Sequence, residues 1–122
     1  MKRKNLILIV DDDQVFRAAT AYQFQELGFN TTELHSGKDV VDVITKTKPK
    51  LVVLDMVMEG KEGMETLLEL TELEDCPPII AVSAERVYLN AALAMGAEHA
   101  LLKPILPEKF EALVREIDLP TL

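Results

Sequence analysis

Asp11, Asp12, Asp55, Ser83 and Lys103 each stand at the end of a short apolar run: Leu6 to Val10, Leu51 to Leu54, Ile79 to Val82 and Ala100 to Leu102 lead into them in turn. Runs of this length, rich in Val and Ile, read as strands of a buried parallel sheet, and ligands gather at the carboxyl ends of such strands. Three carboxylates, a hydroxyl and an ammonium are therefore expected on one edge. Carboxylates that close together repel one another unless a cation shares them, and all-oxygen ligation favours Mg²⁺ over zinc. Metal, ammonium and hydroxyl around a carboxylate are what a phosphoryl group needs, with its oxygens to neutralise and a nucleophile to attack it. Each residue alone has an ordinary reading: Asp11 or Asp13 as a helix cap, Ser83 in a turn, Lys103 as a solvated loop charge before Pro104. It is their joint position at four strand ends that argues for a site.

The segments between these runs carry helical signals. Asp13 is a good N-cap for a helix over Gln14 to Leu27, which Gly28 stops. Phe29 to Leu34 alternates and carries Thr31 and Thr32, so it reads as a polar edge strand. Ser36 and Asp39 resemble a capping box that opens a helix through Val40, Val41, Val43 and Ile44, ending before Pro49. Met64 to about Leu73 gives a helix with Met64, Leu67 and Leu68 inward, Leu70 or Leu73 beside them, and Glu65, Glu69 and Glu72 outward. Glu85 to Met95 is helical and stops at Gly96; Pro107 opens a last helix with Phe110, Leu113, Val114 and Ile117 on one face. Strands alternating with helices argue an α/β fold, a doubly wound parallel sheet, although the strand order does not follow from this pattern.

With 122 residues the chain fits one domain, 1–122, with its core at about 5–118. A net charge of −8 argues against nucleic acid and anionic membranes as direct partners. Cys76 is the single cysteine, which excludes an internal disulfide and a cysteine metal cluster and fits a reducing cytoplasm. The apolar run after Asn5 ends at Asp11, too early for a signal peptide or a membrane span.

The ordered set Ile9-Val10-Asp11-Asp12-Asp13, Val52-Val53-Leu54-Asp55 with Met58 and Gly63, Ser83-Ala84-Glu85, Gly96-Ala97 and Lys103-Pro104 resembles the receiver domain of two-component response regulators over nearly the whole chain. The resemblance implies a flavodoxin-like sheet of order 2-1-3-4-5 with five helices. It implies Asp55 as phosphoacceptor, Asp12 as a direct Mg²⁺ ligand, Asp11 as a ligand working largely through water, and the Val57 backbone carbonyl on the metal. Lys103 would pair with Asp55 and later with phosphoryl oxygens, and Ser83 would swing inward to one of them. The phosphodonor would be a histidine kinase or histidine phosphotransfer protein. The chain would catalyse only its own modification, rather than act as an enzyme, and signal to a downstream protein as a monomer or a phosphorylation-dependent homodimer.

Three departures from the family pattern stand out. Ala100 occupies the position, three before Lys103, where the family usually has Tyr or Phe, so the aromatic half of the switch is missing beside Ser83. Glu59 follows Met58 where proline is usual, making that loop more acidic. Val57 and Glu85 hold the positions that tune phosphoryl lifetime; an apolar Val57 offers no polar group to orient an attacking water, unless it simply packs on the loop.

The first helix carries two apolar stripes, one of Phe16, Thr20, Phe24 and Leu27 and one of Val15, Ala18 and Tyr22. The second is expected to be a docking patch for the phosphodonor, with a wider buried face as the alternative. His35, His99 and Cys76 read as ordinary structural or surface residues, and the acidic stretch Glu62 to Asp75 as a solvated helix face. Two rivals remain from sequence. Ile7 to Val15 also fits the Asp-x-Asp-x-Val signature of haloacid-dehalogenase-type phosphatases, which would make Asp11 the nucleophile; the other is a receiver-like binding module that never accepts phosphate.

Overall fold

In the runs Leu6–Val10, Leu51–Leu54 and Ile79–Val82, β-branched, leucine and alanine residues on both faces leave no polar side, so these strands are expected to lie inside a sheet covered twice. The computed structural model, which describes residues 5–58 and 63–116, shows this arrangement. Strands β1 (Leu6–Val10), β2 (Asn30–Leu34), β3 (Leu51–Asp55), β4 (Ile79–Ser83) and β5 (His99–Leu102) alternate with helices α1 (Gln14–Glu26), α2 (Val40–Thr47), α3 (Gly63–Leu70), α4 (Arg86–Met95) and α5 (Pro107–Glu116). All pairings are parallel, and the order is β2-β1-β3-β4-β5.

Alternate residues of the central strands feed two cores. Leu8, Val10, Val52, Leu54 and Ala81 face α2, α3 and α4, meeting Ile44, Leu67, Leu70 and Leu89. Ile7, Ile9, Val53, Ile80 and Val82 face α1 and α5, meeting Phe24, Phe110 and Val114. Phe24 is fully buried and joins the two helices on that side, its ring 5.1 Å from that of Phe110 and 6.2 Å from that of Phe29. Burial of aromatic rings in such contact is a large part of what keeps α1 seated on the sheet.

Several expected boundaries move. Phe29 lies outside β2, because its ring is drawn inward onto Phe24 and only the more exposed Asn30–Leu34 segment, an edge as expected, forms ladder bonds. Ser36 makes no capping box: its Oγ accepts the Lys38 N–H at 3.2 Å, and α2 starts only after Asp39, whose side chain makes no capping bond. Helix α3 ends at Leu70 instead of about Leu73, since Glu72 and Leu73 donate to carbonyls three residues back and tighten out of the α pattern. Its buried face is Gly63, Thr66, Leu67 and Leu70, a set at i, i+3, i+4 and i+7, which turns Leu68 outward to 57 % exposure against expectation. Phe110, Leu113 and Val114 line α5 as expected, while Ile117, Glu59 and Glu62 lie outside the described residues.

Candidate functional site

The carboxyl ends of β1, β3, β4 and β5 share one edge of the sheet because parallel strands all run the same way. Neighbouring strands hold that edge level. Met56 donates its N–H to the Val82 carbonyl at 3.0 Å, and Lys103 donates its own to the Ser83 carbonyl at 2.8 Å. Five residues named from the sequence, Asp11, Asp12, Asp55, Ser83 and Lys103, are therefore carried to one place.

Asp11, Asp12 and Asp55 each offer a carboxylate oxygen, all within 4.8 Å of one another. Asp11 and Asp55 are buried, whereas Asp12 is exposed at the mouth. Asp11 Oδ1 accepts the Asp13 N–H at 2.8 Å, so the turn that caps α1 also orients this carboxylate. Asp13 in turn accepts the N–H groups of Val15 and Phe16, as its N-cap position requires. Asp55 Oδ1 accepts the Val57 N–H at 3.2 Å. Gly63 makes the tightest constraint, since a Cβ there would collide with the Asp55 carbonyl and lie 2.5 Å from the Met56 Cα. Only glycine lets α3 approach the chain directly behind the Asp55 side chain.

Lys103 pairs with Asp55, as the family resemblance implies, and has a nearer partner in Asp11. Its Nζ lies 2.8 Å from Asp11 Oδ2 and 3.7 Å from Asp55 Oδ2. The closer contact is an ion pair, and the fully buried Asp11 Oδ2 has no hydrogen-bond partner beside it. Burial pushes the Asp55 carboxyl up from 3.8 to about 7, with the Asp11 charge adding to the rise and the Val57 N–H and Lys103 opposing it. A buried carboxylate oxygen with no hydrogen-bond partner besides the Lys103 ion pair, next to a carboxylic acid held that high, fits a site shaped for a hard divalent cation, with oxygen donors of the kind Mg²⁺ prefers. Asp11, Asp12 and Asp55 would hold it.

Ser83 is buried at the end of β4, and its Oγ accepts the Glu85 N–H at 3.0 Å, tying it to the loop that opens α4. Glu85 itself is exposed. Ala100 is half-buried in β5 opposite Ala81, packed against the core under α4. Val57 reaches the site by its amide, and the residue is 42 % exposed. On α1, Val15 and Tyr22 are 78 % and 62 % exposed and Ala18 is exposed with them, so the alternative of a wider buried face falls. His35 is exposed, His99 is half-buried, and neither joins the carboxylates. Burial raises the Cys76 thiol above its ordinary range, as befits an unreactive residue. Glu65, Glu69, Glu72, Glu74 and Asp75 are all exposed, as expected of a solvated face.

Two neighbours of the site were not singled out for it from the sequence. Arg17 donates from its Nη1 to the Asp11 carbonyl at 2.7 Å and pairs with Glu33 at 3.2 Å, stitching the end of β1 to edge strand β2. Phe16 places its ring beneath the Lys103 ammonium. Helical spacing shows which residues share a stripe, but not which distant strand end the stripe meets. A cleft of about 520 Å³ lined by Ile44, Lys48, Pro49, Asp75, Pro77 and Pro78 opens at the amino ends of β3 and β4, away from this chemistry.

Residues 7–115 match the family model described as the response regulator receiver domain. The chain is a member of that family. The receiver is similar to the regulator of RpoS from Escherichia coli strain K12, with 33 % identity over 101 residues that span 81 % of this chain and 30 % of that protein. It is also similar to the response regulator MprA of Mycobacterium avium strain 104, with 32 % identity over 91 % of this chain and 50 % of that protein. The receiver thus spans a half or less of the length of these two relatives. Among solved structures, the signal receiver domain of a response regulator from Bermanella marisrubri superposes with a TM-score of 0.86 at 25 % identity, covering 93 % of this chain and 98 % of that one. A CheY-like receiver domain from Methylobacillus flagellatus shares the fold with a TM-score of 0.84 at 23 % identity, over 94 % and 99 % of the two chains. Receivers belong to two-component systems and bind Mg²⁺ at an acidic pocket, and the cluster of Asp11, Asp12 and Asp55 here could hold a metal ion. Among the described residues no helix is long and apolar enough to cross a membrane.

Proposed function

We propose that this receiver accepts a phosphoryl group on Asp55 from the phosphohistidine of a histidine kinase or histidine phosphotransfer protein, and signals by the conformational step that follows. The observation that carries the reading is the convergence of Asp11, Asp12 and Asp55 with the Lys103 ammonium at the carboxyl edge of the sheet. In the transfer, an Asp55 carboxylate oxygen bonds to phosphorus as the phosphorus–nitrogen bond breaks, and the electron pair returns to the imidazole, which takes up a proton. Asp11, Asp12, Asp55 and the Val57 carbonyl would hold Mg²⁺, which would supply positive charge to keep the carboxylates ionised and offset the phosphoryl oxygens. Lys103 adds a second positive charge from the other side.

Asp55 is favoured over Asp11 as the acceptor because the Lys103 ammonium is held closer to Asp11, at 2.8 Å against 3.7 Å, and leaves Asp55 the less occupied of the two. The match to the receiver family over residues 7–115 supports the same choice. The phosphoryl group adds about two negative charges and strong acceptors, enough to draw the Ser83 hydroxyl away from the Glu85 N–H. With Ala100 in place of an aromatic, the change passes through the backbone after Ser83 and neighbours such as Leu102 to a downstream protein. Exposed Val15, Ala18 and Tyr22 form the surface that meets the phosphodonor. The protein works in the cytoplasm, modifies only itself, and acts as a monomer or a phosphorylation-dependent homodimer.

Intact mass after incubation with Mg²⁺ and acetyl phosphate tests the reading on the wild type and Asp55→Ala. One phosphoryl adduct, lost in the variant, is the expected result. No adduct on the wild type points to a binding module that is never phosphorylated, and an adduct that survives Asp55→Ala but not a change at Asp11 points to the phosphatase-like chemistry.

A further inference from the structure

Lys103 Nζ has three neighbours of different kinds. It lies 2.8 Å from Asp11 Oδ2, 3.7 Å from Asp55 Oδ2, and over the Phe16 ring at 4.3 Å from its centroid. Building on the phosphoacceptor reading above, we propose that Phe16 is a positioning residue for Lys103. Its π-face holds the ammonium at the junction of Asp11 and Asp55, poised to turn toward an incoming phosphoryl group.

The ring is held firmly enough to serve as a platform. Phe16 sits in the first turn of α1, where Asp13 Oδ1 accepts its N–H at 3.3 Å, and its body packs against the core that α1 and α5 share with the sheet. Lysine, by contrast, is a compact charge on a flexible stem with rotatable donors, and the Lys103 side chain keeps 20 % of its surface in water. Something must confine it without holding it too hard. Another carboxylate would add negative charge to a cluster of three and compete with the phosphoryl oxygens. An aliphatic side chain would fill the space but attract no cation. An aromatic face draws the ammonium through its quadrupole and carries no net charge. The ammonium therefore keeps a partner while it leaves Asp11, and the move to the phosphoryl group does not begin from solvent.

The test uses Phe16→Leu, which keeps an apolar body and removes the π-face, and Phe16→Tyr, which restores it. Thermal melts establish that each variant is folded. In ¹H–¹³C NMR spectra, ring current shifts the Lys103 Hε signals upfield in the wild type; this shift is expected to vanish in Phe16→Leu and return in Phe16→Tyr. With Mg²⁺ and acetyl phosphate, phosphorylation followed by intact mass is expected to slow about fivefold in Phe16→Leu, equivalent to ~1 kcal/mol, and to recover in Phe16→Tyr. Unchanged Hε signals in Phe16→Leu would show that the ammonium does not rest on the ring. A lost shift with an unchanged rate, or a slow rate that Phe16→Tyr does not rescue, would overturn the positioning role. A wild type that takes no phosphoryl group overturns the phosphoacceptor reading and the role in transfer with it, whereas the NMR shift reports the placement of Lys103 independently.

Discussion

Lys103 Nζ stands 2.8 Å from Oδ2 of Asp11, a carboxylate with no exposed surface, and this pair ties the end of β5 to the end of β1 across the two strands between them. Removing one partner of a buried pair leaves the other charge uncompensated. Lys103→Met in the presence of EDTA is therefore expected to lower stability by about 2 kcal/mol, less than for a fully buried pair because the lysine is partly hydrated. Mg²⁺ is expected to recover part of the loss by taking over the charge. Urea melts with and without Mg²⁺ measure both, and a variant as stable as wild type in EDTA would contradict the pairing.

Asp55 predicts an unusual pH dependence. Its carboxyl is pushed up from 3.8 to about 7, chiefly by burial and then by Asp11. Between those values the folded chain holds a proton that the unfolded chain has released, so stability falls as pH rises through the window and the penalty is complete above it. Asp55→Asn removes the penalty. In EDTA the variant is expected to exceed wild type by on the order of 2 kcal/mol near pH 8, with the gap closing near pH 4. Melting temperatures across that range decide it, and a gap independent of pH refutes the assignment.

Gly63 faces the backbone of Asp55 and Met56 so closely that a methyl group has no room. Neither neighbour is the free end of a side chain, so the backbone itself must shift. Gly63→Ala is expected to cost at least about 1–3 kcal/mol and to slow modification of Asp55 through its displaced carboxylate. Unaltered stability and rate would mean that α3 can pivot without moving Asp55.

Val57 is 42 % exposed beside Asp55 and carries no polar atom on its side chain. A water attacking the phosphoryl group finds nothing there to orient it, so the phosphorylated state is expected to persist. Val57→Asn should hydrolyse several-fold faster, measured as decay of the phosphorylated mass after donor removal. An unchanged decay would leave Val57 without a role in lifetime.

Ala18 lies between Val15 and Tyr22 on the exposed face of α1. A surface charge there is expected to change stability by no more than about 0.5 kcal/mol. Ala18→Glu should slow transfer from a phosphorylated histidine protein while leaving modification by acetyl phosphate intact. Equal slowing with both donors would locate the effect in the site instead of the docking surface.

The elements and the chemistry were both legible in the chain because each depends on local order. Apolar runs too short to be membrane spans, ending on Asp11, Asp55, Ser83 and Lys103, carry their meaning in sequence, and strand direction brings those ends together. Asp13 and Gly28 likewise act on their immediate neighbours, so the limits of α1 could be read within a residue. Features that depend on remote packing are not legible in local order: Phe29 packs on Phe24 outside its strand, the Ser36 hydroxyl accepts the Lys38 N–H, and Leu68 faces water while Gly63 lies on the buried face of α3.

Contacts across the fold were decided by tertiary structure alone. Residue types predict that Lys103 meets a carboxylate, but the choice of Asp11 over Asp55 rests on angstrom-scale differences in the reach of one side chain. The same holds for the Phe16 ring beneath Lys103 and for the Arg17 bond to the Asp11 carbonyl. Local propensity and patterning act over a few residues and survive in the order of the chain. Distances between groups far apart in sequence are set by how helices seat on the sheet, and that seating belongs to the whole core at once.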